Sequence, residues 1–157
     1  MKPKIDIDKY LFSVDDSLDI KVGIAASLAN QYIMLHAYDD LLNADGFTHT
    51  NLTPEQVANQ FGSWVTNAPN RSVKIKAWKP WNPWTAAIAT TFKNKPNEIY
   101  INVRKIASRS LGDYINTAAH ECAHLAGFGH GSNSPRGKMN SVPYKLGSMA
   151  QAWYESN

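Results

Sequence analysis

The sequence has a single cysteine, Cys122, among its 157 residues, so no disulfide can form within one chain. A domain of this length buries enough surface to fold without disulfides or structural metals. The shortage of cysteine fits a reducing compartment without requiring one. We interpret Cys122 as a small buried side chain, and not as a metal ligand or a redox group.

Long apolar runs are also missing. No stretch approaches the roughly 18 apolar residues of a membrane-spanning helix, and residues 1–17 lack the apolar run of a signal peptide. We therefore expect a soluble protein that does not bind membranes. The sequence leaves its location unknown, since a cytoplasmic protein and a phage-associated protein both fit.

Strong charge and internal repetition are absent too. The formal net charge is +3, which is too small to argue for nucleic acid as a partner. No repeat or low-complexity tract interrupts the chain, and the aromatic content of 11% favours a packed core. Residues 1–157 are predicted to form one domain, and we expect a monomer.

The first third of the chain is predicted to be mainly helical. Residues 1–18 are interpreted as a short strand or an extended arm. Thr53-Pro54-Glu55-Gln56 is a capping box with proline at the first helical position, so a helix is predicted from there to about Phe61. A long helix is predicted before it, over about residues 19–43. The face of that helix predicted to be buried is formed by Ile24, Leu28, Tyr32, Leu35 and Leu42.

Strand-like segments fill the middle of the chain. Residues 71–78, 85–92 and 97–104 are predicted strands, and the two prolines of KPWNPW break the first of them from the second. The apolar residues expected to share strand faces are Val73, Ile75 and Ala77, and Ile99, Ile101 and Val103.

The last third returns to helix. A helix is predicted to begin near Ser110, followed by a loop over residues 131–141 and a final helix over about residues 145–155. The final helix is expected to turn Leu146, Met149, Ala150 and Trp153 inward. The order of elements predicts an α+β fold in which a mixed sheet packs on two long helices.

The stretch HECAHLAGFGH, residues 120–130, holds three of the five histidines. His120 and His124 are one helical turn apart on the same face, where both imidazoles can bind one metal ion. Gly127 ends a helix easily because glycine tolerates positive φ, so His130 can turn back as a third ligand. Glu121 flanks the metal and can accept a proton from water. Three imidazoles with an open fourth position are typical of a catalytic zinc site.

These eleven residues resemble the HExxHxxGxxH signature of the metzincin clan of zinc metallopeptidases. The resemblance implies that His120, His124 and His130 bind one catalytic Zn²⁺ and that Glu121 is the general base. It also implies a zincin-like domain with a long N-terminal helix, a mixed sheet, an active-site helix and a C-terminal helix. The chain is short for the clan, and Gly131 matches none of the residues that distinguish its families at that position. We therefore assign no family within the clan.

Two residues beyond the motif are further candidates. Metzincins carry a methionine in a tight turn beneath the zinc, and Met139 is predicted to be either this methionine or a small core residue under the loop. Some families of the clan have a tyrosine two residues after that methionine, whereas here Tyr144 follows five residues after Met139. Tyr144 is predicted either to stabilise the oxyanion of the reaction or to pack its turn against the last helix.

A basic and aromatic segment spans residues 71–84. Its members are Arg71, Lys74, Lys76, Lys79, Trp78, Trp81 and Trp84. Such a mixture can bind single-stranded nucleic acid or sugars. We favour a strand whose tryptophans pack on the core and whose lysines are solvated, and a third interpretation has the tryptophans lining one side of a substrate cleft.

Three remaining features are interpreted through the zinc site. His36 and His49 are expected to be helix and surface residues and not a fourth ligand. Residues 85–92 are predicted to be either an edge strand, to which a peptide substrate adds as a further strand, or an interior strand. The acidic N-terminal residues would either reach the zinc and hold the enzyme latent or be solvated; they are Asp6, Asp8, Asp15 and Asp16.

The function predicted from the sequence is peptide-bond hydrolysis by a zinc metallopeptidase, with a peptide or protein substrate and no nucleic acid partner. One alternative keeps the site but makes the substrate the peptide stems of bacterial cell wall, as for a lytic or phage enzyme. A second alternative is a non-catalytic, zinc-stabilised binding or virion-structural module. Glu121 argues against the second alternative, because a purely structural site needs no base.

Overall fold

The computed structural model describes residues 3–67, 73–131 and 138–157. Within these residues it contains four strands, five α-helices and two short 3-10 helices. They are β1 (Phe12–Val14), α1 (Ile20–Leu35), α2 (Ala37–Leu42), α3 (Pro54–Asn67), β2 (Val73–Trp78), β3 (Ala89–Phe92), β4 (Lys95–Asn102), a 3-10 helix (Ile106–Ser108), α4 (Leu111–Leu125), a second 3-10 helix (Lys138–Asn140) and α5 (Val142–Glu155). The predicted α+β class and mixed sheet are confirmed.

The four strands form one sheet in the order β1-β2-β4-β3. β1, β2 and β4 are parallel to one another, and β3 is antiparallel to β4. β3 therefore lies at an edge of the sheet, which confirms the edge-strand interpretation of residues 85–92 and excludes the interior one. The regular strand is shorter than predicted and covers only Ala89–Phe92.

One face of the sheet is buried against the helices. Val73 and Ile75 of β2 and Ile99 and Ile101 of β4 are at most 4% exposed, as the alternation of apolar residues predicts. At the strand ends, the predicted burial of the apolar residues is wrong. Ala77 is exposed, and Val103 lies beyond the end of β4 and is 36% exposed.

The long first helix differs from its prediction in two ways. It is interrupted at His36, where φ is −124°, so residues 19–43 form α1 and α2 and not one helix. Its buried face also differs in part: Tyr32 is fully buried as predicted, but Ile24, Leu35 and Leu42 are 47%, 44% and 37% exposed. The buried positions of α1 are instead mostly small or β-branched; they are Val22, Ala25, Ala26, Ala29, Asn30, Tyr32, Ile33 and Met34. Small residues let a helix pack closely on its neighbours, and a search for large apolar residues overlooks them.

α3 begins as predicted and ends later. The capping box is present, since the Thr53 backbone N–H donates to Gln56 Oε1 at 2.9 Å and the Gln56 N–H donates to Thr53 Oγ1 at 3.3 Å. The helix continues past Phe61 to Asn67. Val65 extends the row of buried residues one turn beyond Phe61, so the apolar period supports the longer helix.

The acidic N-terminal segment lies far from β3 in the sheet order. β1 forms the opposite edge, and Asp15 and Asp16 follow it as exposed residues. The preceding arm runs along α3, where Lys9 Nζ donates to the carbonyl oxygens of Val65 and Thr66 at 3.2 Å. This placement favours the interpretation in which the four N-terminal aspartates are solvated over the one in which they reach the histidines and hold the enzyme latent.

α4 and α5 pack closely and form the base of the site. Ser110 caps α4 in a reciprocal capping box with Asp113. α5 starts three residues earlier than predicted, with Pro143 in its first turn. Leu146 and Ala150 are fully buried as expected. None of the helices in the described part of the chain is long and apolar enough to cross a membrane.

Candidate metal centre

α4 presents the first two histidines of the cluster on one face. His120 and His124 are separated by one turn, and their Nε2 atoms are 3.2 Å apart. Their ring centroids are 4.9 Å apart and the planes are inclined by 69°. The spacing of four residues thus places two ring nitrogens at one point in space, as the sequence predicts.

A tight turn after α4 brings the third histidine back. Gly127 has φ of +100°, a conformation that favours glycine. The Phe128 N–H donates to the carbonyl of Ala123 at 3.0 Å, and Gln60 of α3 donates to the carbonyl of Ala126 at 2.9 Å. The chain then reverses, and the His130 ring lies 4.8 Å from that of His124 and 5.3 Å from that of His120.

Backbone carbonyls fix two of the rings. His124 Nδ1 lies 2.8 Å from the carbonyl oxygen of Phe128, and His130 Nδ1 lies 2.9 Å from that of Gly131. Because a carbonyl oxygen only accepts, each Nδ1 must carry the proton, which leaves Nε2 with a free lone pair. Backbone partners of this kind orient the imidazoles of metal sites.

The three histidines together satisfy the geometry of a metal-binding set. Each offers a ring nitrogen, and these atoms all lie within 4.8 Å of one another. Burial, with smaller contributions from the charges of His124, His130 and Lys138, lowers the pKa of His120 to about 3. Burial also lowers the pKa of His124, and its hydrogen bond to Phe128 partly opposes this. The neutral imidazole is the form that binds metals.

Glu121 is the buried carboxylate of the site. It is 6% exposed, and its Oε2 has no hydrogen-bond partner among the described residues. Burial raises the pKa of Glu121 to about 8. An unpartnered buried carboxyl destabilises a fold, so its presence beside three histidines points to a functional role.

A cleft of about 1030 Å³ opens over these groups. α4 lines it with His120, Glu121 and His124, and β3 lines it from the sheet edge. Tyr144, at the start of α5, also lines the cleft. The Tyr144 ring lies 4.6 Å from that of His120 and 5.0 Å from that of His130. The structure thus brings together all five predicted site residues.

The other candidate ligands lie outside the cluster. Among the described residues only His120, His124 and His130 form a group able to hold a metal. His36 packs against the rings of Tyr32 and Trp153, and His49 is exposed. His49 therefore matches its prediction as a surface residue, whereas His36 lies at the break between α1 and α2 and not within a helix. Cys122 is fully buried, which raises the pKa of its thiol.

Met139 does not fit either prediction made for it. It lies in the short 3-10 helix Lys138–Asn140 and is 63% exposed. A core residue would be buried, and so would a methionine packed beneath the histidines. The neighbouring Lys138 is instead the group that the sequence analysis missed: it lines the cleft, and its Nζ lies 5.1 Å from the centroid of the Tyr144 ring. A lysine in a polar loop carries no signal that would single it out.

The tryptophans of the basic segment do not pack as favoured. Trp81 and Trp84 are 97% and 86% exposed, so their placement on the core is wrong. Neither lines the cleft. Trp78 is half-buried and meets Phe92 edge to face at 6.3 Å. Arg71 lies outside the described residues.

Comparison with known proteins found no match to a family model, to a curated protein or to a solved structure.

Proposed function

We propose that the protein is a zinc-dependent metallopeptidase that hydrolyses peptide bonds, with His120, His124 and His130 as the zinc ligands and Glu121 as the general base. One observation carries the proposal: three histidine nitrogens lie within 4.8 Å of one another beside a buried carboxyl that has no partner among the described residues. The HExxHxxGxxH pattern and the turn at Gly127 support a metzincin-like arrangement, and the exposed Met139 departs from it.

The donor set suits zinc. Three neutral imidazoles are typical of catalytic zinc sites, whereas oxygen donors would be expected for magnesium or calcium. When bound, zinc would supply a Lewis acid that lowers the pKa of water and polarises a carbonyl. A structural site, by contrast, usually has four protein ligands, and the described residues offer three.

Glu121 provides the proton transfers. Its free Oε2 accepts a proton from the attacking water and passes it to the leaving nitrogen as the carbon–nitrogen bond breaks. A cation held by the adjacent histidines would favour the ionised form of Glu121, which is the form able to accept. Burial keeps the carboxyl from being hydrated and so keeps it reactive.

Tyr144 is suited to a supporting role. Its ring lies edge-on to His120, with the two planes inclined by 86°. In the proposed reaction its hydroxyl donates a hydrogen bond to the carbonyl oxygen as negative charge develops there. The stabilisation is larger in the transition state than in the bound substrate, so it should raise kcat.

The edge strand offers a binding mode for an extended peptide. β3 pairs with β4 on one side only, and residues 86–93 line the cleft beside α4. A peptide that adds along the free edge of β3 would use backbone hydrogen bonds, which depend little on its sequence. Its scissile bond would then lie over α4, where His120 and Glu121 are located.

The test combines metal content with hydrolysis. The purified protein is expected to hold about one zinc per chain and to cut an unfolded protein or cell-wall peptides. Glu121→Gln should keep the zinc and lose hydrolysis by at least about a hundredfold, the typical contribution of a general base. His124→Ala should lose both. Zinc bound with no hydrolysis of either substrate would favour a zinc-stabilised module, and a protein that binds no zinc would overturn the proposal.

A further inference from the structure

The cleft over the three histidines has an uneven distribution of charge. Among the described residues that line it, Lys93 and Lys138 are basic, and Glu121 is the one carboxylate. Glu121 is buried beside the histidines and forms no ion pair with either lysine among the described residues. A divalent cation at the histidines would add to the positive charge. The cleft as a whole therefore favours anionic ligands.

Lys138 is held close to the reacting groups. Its Nζ lies 5.1 Å from the centroid of the Tyr144 ring, which itself contacts the rings of His120 and His130. Its backbone carbonyl accepts hydrogen bonds from the N–H of Ser141 at 3.1 Å and from the hydroxyl of Ser141 at 2.6 Å. The turn that carries Lys138 is thus tied to the start of α5, and Lys138 is a half-buried residue that lines the cleft.

Lys138 also lacks an acidic partner in the protein. Among the described residues no ion pair includes it, and residues 132–137, which precede it in the chain, include no aspartate or glutamate. Lys145, by comparison, is paired with Asp45. An ammonium group that lines a cleft and has no counter-charge among the described residues is suited to bind a carboxylate supplied by a ligand.

Lys93 extends the same charge along the cleft. It follows β3 directly and is exposed. Lys93 and Lys138 reach the cleft from different parts of the fold, one from the sheet edge and one from the turn before α5. Lys93 is well placed to attract an anionic peptide before it binds, and Lys138 to contact it once bound.

Building on the proposed peptidase function, we propose that the protein selects acidic peptides and that Lys138 binds a substrate carboxylate one or two residues from the scissile bond. The distance follows from the placement of Lys138 one aromatic ring away from the histidines, because an extended peptide advances roughly 3.3 Å per residue. Lys93 contributes a weaker, longer-range attraction.

The experiment compares three peptides that differ at one position, two residues from the cleaved bond, where they carry glutamate, glutamine or lysine. Wild-type zinc protein should cut the glutamate peptide with a kcat/KM about twofold to fivefold above that of the glutamine peptide, the size expected of a partly exposed charge pair. The preference should fall as salt is added. Lys138→Gln should abolish the preference, and Lys138→Glu should reverse it toward the lysine peptide. Lys93→Gln should reduce it only slightly.

Two controls make the outcome decisive. Lys21→Gln removes an exposed lysine that does not line the cleft, and it should leave the preference unchanged. Binding of the same peptides, dye-labelled, to zinc-loaded Glu121→Gln protein is measured by fluorescence anisotropy, and the glutamate peptide should bind more tightly than the glutamine peptide by a similar factor.

This second readout tests the preference for acidic peptides even when no peptide is cut, in which case only the peptidase proposal fails. Equal cutting and binding of all three peptides would overturn the preference for acidic substrates and leave the peptidase function standing. If Lys138→Gln slows the cleavage of all three peptides equally, Lys138 contributes to the reaction itself. That outcome would also overturn the preference for acidic substrates.

Discussion

The Nδ1 atom of His124 donates a hydrogen bond to the carbonyl oxygen of Phe128, four residues further along the chain, at 2.8 Å. The same carbonyl belongs to the turn that follows Gly127, so the orientation of the second histidine and the return of the third depend on one short segment. The arrangement of the three histidines therefore depends on the turn as much as on the helix α4.

Gly127→Ala should weaken zinc binding through this turn. The φ of +100° at Gly127 disfavours any residue with a Cβ atom, and an added Cβ would lie 3.2 Å from Gln60 Nε2. We expect the variant to lose about 1–2 kcal/mol of stability and about tenfold or more in zinc affinity, the usual effect of disturbing groups that orient metal ligands. Competition with a chelator measures the affinity.

Gly129→Ala is the matched control for this prediction. It lies in the same turn, but its φ is not positive and an added Cβ would meet no described atom within 4 Å. Its zinc affinity should equal that of the wild type. An equal loss of zinc affinity in both variants would mean that the turn tolerates no substitution and that the conformation of Gly127 has no special role.

The sequence was sufficient to predict that His120, His124 and His130 lie together, but not all of their surroundings. The spacing of His120 and His124 places both on one face of a helix, and Gly127 predicts the turn that brings His130 back toward them. Lys138 and the depth of the Glu121 side chain depend on how α4, α5 and β3 pack, and no local pattern encodes that. The same limit applies to the fold. The capping box at Thr53 specified where α3 begins, whereas the alanine-rich face of α1 and the exposure of Trp81 became visible only when the helices and strands were assembled.

Gly147→Ala should test the close packing of α4 on α5. An added Cβ at Gly147 would lie 2.9 Å from the backbone oxygen of Asn116, which cannot move without displacing α4. We expect a loss of about 1–3 kcal/mol in the free energy of unfolding, as for other overpacked sites, measured by urea denaturation. Since Asn116 lies one turn before His120, zinc affinity should fall as well.

Gly23→Ala is the complementary change in α1. There an added Cβ meets no described atom within 4 Å, and alanine favours a helix over glycine by about 0.5–1 kcal/mol. The variant should therefore be more stable than the wild type. A gain at Gly147 or a loss at Gly23 would contradict the packing described here.

Glu98 should make stability depend on pH in the acid range. Its hydrogen bonds to Lys76 and Tyr100, with the charges of Lys76 and Lys95 adding to them, lower its pKa from 4.5 to about 2. Because the folded pKa lies below the unfolded one, the stabilisation is complete above about pH 4.5 and is lost as pH falls toward 2. Glu98→Gln should therefore lose less stability than the wild type over this interval, in urea titrations of the metal-free protein. Asp8→Asn removes an exposed carboxylate and should leave the wild-type slope unchanged.

Glu121→Leu should separate stability from function at the site. The Glu121 carboxyl is buried and its Oε2 has no partner among the described residues, so an apolar side chain of similar volume should stabilise the metal-free protein by about 1–3 kcal/mol. The gain should grow with pH. Burial raises the pKa of Glu121 from 4.5 to about 8, so the wild type loses stability as pH rises from about 4.5 through 8, and the leucine variant does not. The variant should still bind zinc, because the histidines are intact, and should not hydrolyse peptides.

Urea denaturation at pH 5 and pH 8 checks the prediction, with Glu121→Gln as the comparison that keeps a polar group in place. A leucine variant less stable than the wild type at both pH values would show that the carboxyl contributes to the fold, and Glu121 would then lose its main structural argument for a role in proton transfer.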